Sequence, residues 1–194
     1  TLECLESVYQ ITYPRYDVIV ADNGSEDNSI EQIEAYARGK LEVASKFFRY
    51  SSRNKPIECC TCSREEIEAG NGANVRLAND PSSRRLLLIK NGKNYGFSEG
   101  NNAALRFALE VLKSEYVLLL NNDTVVDPSF LDRLVEVAES DPAIGFAGPK
   151  SYYYDYHGRT DVINFAGGRI TMWKGKSRKI GLNEADQGQY GVIA

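Results

Sequence analysis

Short apolar runs alternate along the chain with longer amphipathic stretches. Four of these runs have the composition of buried strands: DVIVA (17–21), RLLLIK (85–90), YVLLL (116–120) and IGFAG (144–148). They are rich in aliphatic residues, several of them β-branched, and polar or glycine residues follow them closely, as is typical of strands in a parallel sheet. Strands that alternate with helices predict an α/β fold, with a mostly parallel sheet covered by helices on both faces.

Apolar residues at helical spacing predict the helices between these runs. The first begins at Thr1, a second is marked by Ile30, Ile33 and Ala37, and a third covers about 99–112. In the fourth, Asp127 is the predicted N-cap and Pro128 the first helical residue. The capping-box pattern from Ser63 to Glu66 predicts one more short helix. A length of 194 residues fits a single domain.

The regular alternation is lost in two parts of the chain. Residues 51–85 are rich in Asn, Gly, Ser and charge, which indicates a surface insertion, and KFFRY (46–50) before them is a candidate strand. Beyond Pro149, the runs YYYDY and INFAGGRITMW predict a β-hairpin around Gly167 and Gly168. We interpret 150–194 as a flank of the functional site that contains this hairpin.

Composition and charge exclude several classes of protein. The net charge is −4 and the 23 basic residues are scattered, so we expect no nucleic-acid partner. No apolar run reaches the roughly 18 residues of a membrane helix, and no signal-peptide pattern opens the chain, which predicts a soluble, cytoplasmic protein. Cys59, Cys60 and Cys62 lack paired metal-ligand spacing, so free thiols are the preferred interpretation.

Polar residues follow three of the predicted strands at the points where they end. These clusters are Asp22 to Ser25, Asn94 to Asn102 and Asn121 to Thr124. Each alone is also ordinary turn chemistry. Together they predict a binding site, because ligands of open parallel sheets bind at the carboxyl ends of the strands. One carboxylate, Asp123, with amide oxygens nearby suits Mg²⁺ or Mn²⁺ that takes its remaining ligands from a diphosphate.

The motifs VIVADNGSEDNS, NYGFSEGNNAAL and YVLLLNNDTVVDPSFLDRLV resemble the family 2 glycosyltransferases of the GT-A fold, and most of all their rhamnosyltransferase-like branch. The resemblance covers about 1–37 and 85–189. It implies an inverting, hexosyltransferase-type enzyme that moves a sugar from a nucleoside diphosphate sugar to a hydroxyl of a saccharide or lipid-linked saccharide acceptor. It further implies cell-envelope polysaccharide biosynthesis, in the cytoplasm or peripherally at the inner face of the membrane.

The resemblance also implies roles for individual residues. The nucleotide-binding residues would be Asp22, Asn23, Ser25, Asn94, Gly96 and Asn101, and the ligands of Mg²⁺ or Mn²⁺ would be Asp123 and Asn121. Asn121 occupies the first acidic position of the family's Asp-x-Asp motif. That departure leaves Asp123 as the one secure ligand and predicts modest metal affinity.

Two segments of the family have no counterpart in this sequence. The family has a strand before the first helix, and its catalytic carboxylate follows the region that corresponds to residue 194. We therefore expect a fragment that is inactive alone, whose catalytic base is unknown, and which carries an open sheet edge beside 17–21 that permits self-association. A nucleotidyltransferase and a non-catalytic sugar-nucleotide-binding domain are the alternative functions.

Overall fold

The computed structural model describes residues 1–69 and 85–191. Contacts divide the chain into two compact units, Thr1–Pro128 and Ser129–Ala194. None of the described helices is long and apolar enough to cross a membrane.

A parallel three-stranded sheet organises the first unit. Its strands are β1 (Val18–Asp22), β2 (Glu58–Ser63) and β3 (Arg85–Lys90), in the order β1–β3–β2. Val18 pairs with Leu86 and Asp22 with Lys90, so β1 and β3 end at the same level. The run RLLLIK occupies the centre of the sheet because four consecutive aliphatic side chains can be buried there on both faces.

Within the described residues, four helices cover the two faces of this sheet. They are α1 (Leu2–Val8), α2 (Ser29–Ala37), α3 (Arg64–Glu68) and α4 (Gly96–Arg106), and α4 continues as a π-helical turn, Phe107–Val111. Leu86 and Leu88 of β3 pack in one core with α1 and α2, whereas Leu87 and Ile89 pack in a second core that includes Phe107. The two-residue period of a strand produces this division. The predicted α/β class is confirmed.

The second unit contains one helix and two antiparallel strand pairs. The helix α5 spans Phe130–Ser140, the short strands β4 (Ser151–Tyr152) and β5 (Ile163–Phe165) pair, and β6 (Gly168–Thr171) pairs with β7 (Lys176–Lys179). A 3₁₀ turn at Met172–Lys174 joins β6 to β7, and Gly175 closes it with a φ of +59°. Such left-handed backbone is accessible to glycine at little cost.

The strand predicted for YVLLL (116–120) is absent from the described structure. Leu119 is 54% exposed, and no described strand pairs with these residues. β1 lies at one end of the strand order, so the open edge expected beside 17–21 is present among the described strands. An apolar, β-prone run needs a ladder partner to become a strand, and the local sequence does not supply one.

Several other predictions are corrected. IGFAG (144–148) is not a strand, and Phe146 on it is fully exposed; KFFRY is not a strand either. The interpretation of 51–85 as a surface insertion fails for Glu58–Ser63, which is a sheet strand, while 70–84 lie outside the described residues. The hairpin turns at Met172–Lys174 and not around Gly167 and Gly168, because Gly168 is the first residue of β6 and Gly167 directly precedes it.

The helix predictions fare better. The capping box at Ser63 is present, with the hydroxyl accepting from the Glu66 N–H and the Glu66 carboxylate accepting from the Ser63 N–H. α5 has Ser129, not Asp127, at its N-cap. The assignment of 1–194 to a single domain stays a prediction.

Candidate functional site

Asn23 joins the end of β1 to the turn that precedes α4. Its Oδ1 accepts hydrogen bonds from Asn91 Nδ2 at 3.3 Å and from the Tyr95 N–H at 3.1 Å. Its Nδ2 donates to Asn94 Oδ1 at 2.9 Å and to the Gly96 carbonyl at 3.1 Å. An amide has two donor and two acceptor positions, so the side chain is fully used. Asn23 therefore holds the turn in place rather than offering a free group to a ligand.

Two glycines allow this close packing at the ends of β1 and β3. A Cβ on Gly24 would lie 2.7 Å from the Lys93 carbonyl carbon, and Gly24 has a φ of +83°. A Cβ on Gly100, in α4, would lie 2.9 Å from the Cγ, Nδ2 and Oδ1 atoms of Asn23. Both contacts are closer than side-chain carbon atoms approach, so the corner formed by residues 22–25, 91–96 and Gly100 is tightly closed. We call it the Asn23 corner.

Asn91 forms the buried floor of the Asn23 corner. It is 1% exposed, its N–H donates to the Asp22 carbonyl at 2.9 Å, and its Nδ2 donates to the Gly100 carbonyl at 2.8 Å. Its Oδ1 is a buried acceptor without a hydrogen-bond partner among the described residues. Such atoms are rare in folded proteins, and a water or a donor group of a ligand would satisfy this one. Nothing in the sequence singles out Asn91 beyond its place directly after a buried strand.

Three other predicted residues lie in or next to the Asn23 corner. The Ser25 N–H donates to Asp22 Oδ2 at 3.3 Å, which fixes the carboxylate over the start of the loop. Asn101 lies in the second turn of α4, where its Nδ2 donates to the Phe97 carbonyl at 2.8 Å. The second amide position of Asn101 and most of the Asp22 carboxylate stay available for a ligand.

A cationic group flanks the same corner on the side of α3. The Arg64 guanidinium lies 4.3 Å from the centre of the Tyr95 ring, and Lys93 Nζ lies 4.9 Å from it. Arg64 is 7% exposed and pairs with both Glu68 and Glu99. The hydrogen bond from Arg64 is the main reason why the pKa of the Glu99 carboxyl is lowered. Glu99 is thus committed to an ion pair and is a poor proton acceptor.

The predicted metal ligands lie on a separate turn that is bonded to the start of the chain. Thr124 Oγ1 donates to the Asn121 carbonyl at 2.7 Å, and Asn122 Nδ2 donates to Thr1 Oγ1 at 2.8 Å. The side chains of Asn121 and Asp123 are exposed. These bonds fix the backbone of the turn and leave the Asp123 carboxylate in solvent.

The structure unites two of the three predicted clusters. Asp22, Asn23 and Ser25 lie with Asn94 and Gly96 in one hydrogen-bonded corner, but no hydrogen bond or ion pair among the described residues joins that corner to Asn121 or Asp123. The described residues contain no group of three His, Cys, Asp or Glu side chains able to hold a metal. A single carboxylate fits Mg²⁺ or Mn²⁺ only where phosphate oxygens and water complete the shell.

Comparison with known proteins identifies the family. The family model described as "Glycosyl transferase family 2" matches residues 1–60 and 74–191. The chain belongs to glycosyl transferase family 2.

Curated relatives of this family 2 chain include hyaluronan synthase 2 from three rodents. The proteins of Mus musculus and Heterocephalus glaber are each 22% identical to it over 153 residues, and that of Rattus norvegicus is 23% identical over 151 residues. Each alignment covers 75% of this chain and 25% of the relative, so the chain spans about a quarter of their length. No solved structure gives a significant match.

Carboxylates in the second unit of this family 2 chain are engaged by neighbouring side chains. Asp186 accepts hydrogen bonds from Lys150 Nζ at 2.6 Å and from the Tyr152 hydroxyl, and these lower the pKa of Asp186 to about 2. Glu184 accepts from the Tyr190 hydroxyl at 2.9 Å. A general base works best with a pKa near the operating pH, so Asp186 as held here is poorly suited to that role.

The cysteines of β2 are distributed over both faces of the sheet. Cys59 packs with the core beside α1 and α2, whereas Cys60 and Cys62 pack with the opposite core. All three are free thiols whose pKa is raised, primarily by burial. Their placement on opposite faces does not bring the three sulfur atoms towards one ion.

Proposed function

We propose that this chain binds the donor of an inverting glycosyltransferase, which moves a sugar from a nucleoside diphosphate sugar to an acceptor hydroxyl. The Asn23 corner is the observation that supports the proposal most strongly. It brings Asp22, Ser25, Asn94 and Gly96 together at the carboxyl ends of two parallel strands, which is where open α/β sheets bind nucleotides.

Within this proposal the polar residues divide into two kinds. Asp22 and Ser25 contact the base and ribose, and Asn94, Gly96 and Asn101 approach the nucleotide from the start of α4. Asn23 acts through the others, because its own amide is fully bonded to the protein. Because these groups are held rigidly before the donor arrives, donor binding loses less conformational entropy.

The proposal assigns Asp123 and Asn121 to the binding of Mg²⁺ or Mn²⁺, which they would hold together with the donor diphosphate. Asp123 supports this assignment because it is exposed on a turn that is held by the hydrogen bonds from Thr124 Oγ1 to the Asn121 carbonyl and from the Asn122 side chain to Thr1. A bound divalent ion supplies Lewis-acid stabilisation of the leaving diphosphate, worth several kcal/mol. A carboxylate that remains to be identified accepts the proton of the acceptor hydroxyl, whose oxygen attacks the anomeric carbon from the opposite face and inverts it.

The finer features of the proposed enzyme rest on the family resemblance. They are hexosyl transfer, a rhamnosyltransferase-like donor site, a saccharide or lipid-linked saccharide acceptor, cell-envelope polysaccharide synthesis, and a cytoplasmic or inner-membrane location. The hyaluronan synthase relatives, named for the synthesis of a polysaccharide, support a role in polysaccharide synthesis. The open edge of β1 is the surface proposed for self-association.

Calorimetric titration with a panel of nucleoside diphosphate sugars, in Mn²⁺ and in a chelator, tests the donor and metal assignments together. Asp123→Asn should weaken Mn²⁺-dependent donor binding by about tenfold or more, because it removes the charged ligand. Binding in the chelator should be unchanged. Glu31→Gln is the matched control, since Glu31 is an exposed carboxylate on α2 in the same unit.

Three results would contradict parts of this proposal. Equal Mn²⁺-dependent affinity of the Asp123→Asn and unchanged proteins would exclude Asp123 as the metal ligand. Binding of nucleoside triphosphates with release of pyrophosphate would indicate a nucleotidyltransferase. Donor binding that never leads to transfer by the complete protein would indicate a non-catalytic sugar-nucleotide-binding domain.

A further inference from the structure

The hairpin formed by β6 and β7 is a strongly cationic element of an acidic chain. Every residue from Gly168 to Lys179 is exposed. The segment contains Arg169, Lys174, Lys176, Arg178 and Lys179 and no carboxylate, whereas the whole chain carries a net charge of −4. Both faces of the two-stranded ribbon are therefore open to solvent, and one sign of charge dominates them.

The register of the hairpin concentrates these cations without neutralising them. Arg169 pairs directly with Arg178, and Thr171 pairs with Lys176, so these cations share one face of the ribbon. Directly opposed like charges destabilise a strand pair. None of the five cations forms an ion pair with a carboxylate of the described residues. An external anion would relieve this repulsion.

Large apolar side chains are exposed on the same hairpin. Ile170 is 69%, Met172 is 84% and Trp173 is 80% exposed, and Met172 and Trp173 lie in the turn at the tip. Lys174 Nζ lies 4.2 Å from the centre of the Trp173 ring. Exposed apolar side chains that are this large and this close together are typical of an interaction surface.

We propose that the β6–β7 hairpin binds the surface of an anionic lipid bilayer. Its cations contact the phosphate groups of the lipids, and Trp173, Met172 and Ile170 enter the interfacial layer. Tryptophan favours this layer, because its ring is apolar and its N–H can still donate a hydrogen bond. Polybasic segments gain affinity from anionic headgroups in the same region.

The combination of side chains distinguishes a bilayer from other anionic partners. A nucleic acid would use the cations and the tryptophan ring, but it offers no apolar layer for Ile170 and Met172. A second copy of this chain would supply carboxylates, but its 27 acidic residues are nearly balanced by 23 basic ones. The bilayer is the partner that satisfies both the charges and the apolar groups.

The sequence provides a direct spectroscopic test, because Trp173 is its one tryptophan. Vesicles of phosphatidylcholine and phosphatidylglycerol should shift the tryptophan emission to shorter wavelength and cosediment with the protein. Pure phosphatidylcholine vesicles should do neither. Binding should fall steeply as salt is raised, since the screening length falls from about 10 Å at 0.1 M to about 3 Å at 1 M.

Arg169→Glu separates binding from folding of the hairpin. It converts the opposed pair Arg169 and Arg178 into an oppositely charged pair, which favours the hairpin, while it removes two units of positive charge. We expect affinity for the anionic vesicles to fall by about tenfold or more. Arg15→Glu makes the same change of charge at an exposed residue outside the hairpin and should leave the affinity unchanged.

Four results would overturn the proposal. These are equal binding to neutral and anionic vesicles, retention of full affinity by Arg169→Glu, equal losses in the Arg169→Glu and Arg15→Glu proteins, and cosedimentation without a tryptophan shift. A tryptophan shift produced by polyuridylate, or by raising the protein concentration without vesicles, would instead assign the hairpin to RNA or to self-association. None of these outcomes depends on donor binding, so the proposed transferase function is tested independently.

Discussion

A buried ion pair between α1 and the segment before β2 provides a sharp test of what stabilises the first unit. The Glu6 side chain is 0% and the Lys55 side chain 5% exposed, and Lys55 Nζ lies 3.0 Å from Glu6 Oε2. The same carboxylate accepts from the Tyr36 hydroxyl at 2.9 Å, the Ser51 N–H at 3.0 Å and Gln10 Nε2 at 2.6 Å. Replacing Lys55 by methionine would keep most of the length of the side chain and remove its charged amine.

We expect Lys55→Met to lower the free energy of unfolding by about 3 to 5 kcal/mol, the usual cost of leaving one charge of a buried pair uncompensated. The contacts that are lost include the ion pair with Glu6, the hydrogen bond to Asn54 Oδ1 at 2.7 Å and the contact of Nζ with the Tyr36 ring, 4.0 Å from its centre. Three donors to Glu6 remain, which favours the lower end of that range. At that lower end, about 3 kcal/mol, the melting temperature of a chain of this size should fall by about 6 to 12 °C, at about 2 to 4 °C per kcal/mol.

Urea unfolding as a function of pH distinguishes this explanation from a simple packing defect. Burial alone raises the pKa of the Glu6 carboxyl, but the hydrogen bonds from Ser51, Lys55, Gln10 and Tyr36 outweigh it, so the pKa lies below its ordinary value of 4.5. In the unchanged protein, this carboxylate stabilises the fold above pH 4.5, and the stabilisation is lost as the pH falls through the lowered pKa.

Without Lys55 the balance at Glu6 shifts towards burial, so we expect its folded pKa to rise. The stabilisation that ionised Glu6 contributes at neutral pH would then be smaller than in the unchanged protein. The destabilisation caused by Lys55→Met should therefore be smaller at pH 4 than at pH 7. Equal destabilisation at both pH values, or a loss below about 1 kcal/mol at pH 7, would refute the reasoning. Arg133→Met is the control, because it breaks an exposed ion pair with Glu136, worth at most about 1 kcal/mol.

Two further predictions concern the Asn23 corner and the thiols. Gly100→Ala should displace the Asn23 amide, weaken donor binding and cost about 1 to 2 kcal/mol in urea unfolding, since overpacking exceeds the gain in helix propensity. Gly145→Ala, where a Cβ meets open space, should change neither measurement. Burial, followed by the nearby Cys60 and Glu66, raises the pKa of the Cys62 thiol to about 11. Alkylation of Cys62 by iodoacetamide near pH 8 should therefore be about a hundredfold slower in the folded than in the urea-unfolded protein. Mass spectrometry measures both rates. Equal rates in the two states would contradict that pKa.

Helices and strands that are defined by the hydrophobic pattern of a single stretch were predictable from the sequence. The aliphatic run of β3 and the helical spacing of α1, α2 and α4 each contain enough information in one stretch to define the element. The runs at 116–120 and 144–148 have the same local character but no described strand beside them, so they did not become strands. β2 was missed for the opposite reason, because its sequence ECCTCS is partly polar and its strand character comes from pairing with β3.

The candidate site was predictable in its location and less so in its chemistry. Polar residues after β1 and β3 had to meet, because parallel neighbouring strands end at the same edge of a sheet. The commitment of Asn23 to four protein hydrogen bonds could not be read from the sequence, and neither could the unpartnered oxygen of Asn91. Both depend on atoms contributed by α4 and by the turn before it, far along the chain.

Both outer strands of the sheet, β1 and β2, pair with β3, and this pairing constrains how the sheet can assemble during synthesis. Among the described strands, β1 and β2 both precede β3 in the chain and do not pair with each other, so neither has a described ladder partner until Arg85–Lys90 has left the ribosome. Until then α1 and α2 have no Leu86 or Leu88 to pack against, and their apolar faces stay open to chaperones or to neighbouring chains. Assembly of this sheet is therefore a late event, governed by the arrival of one six-residue strand.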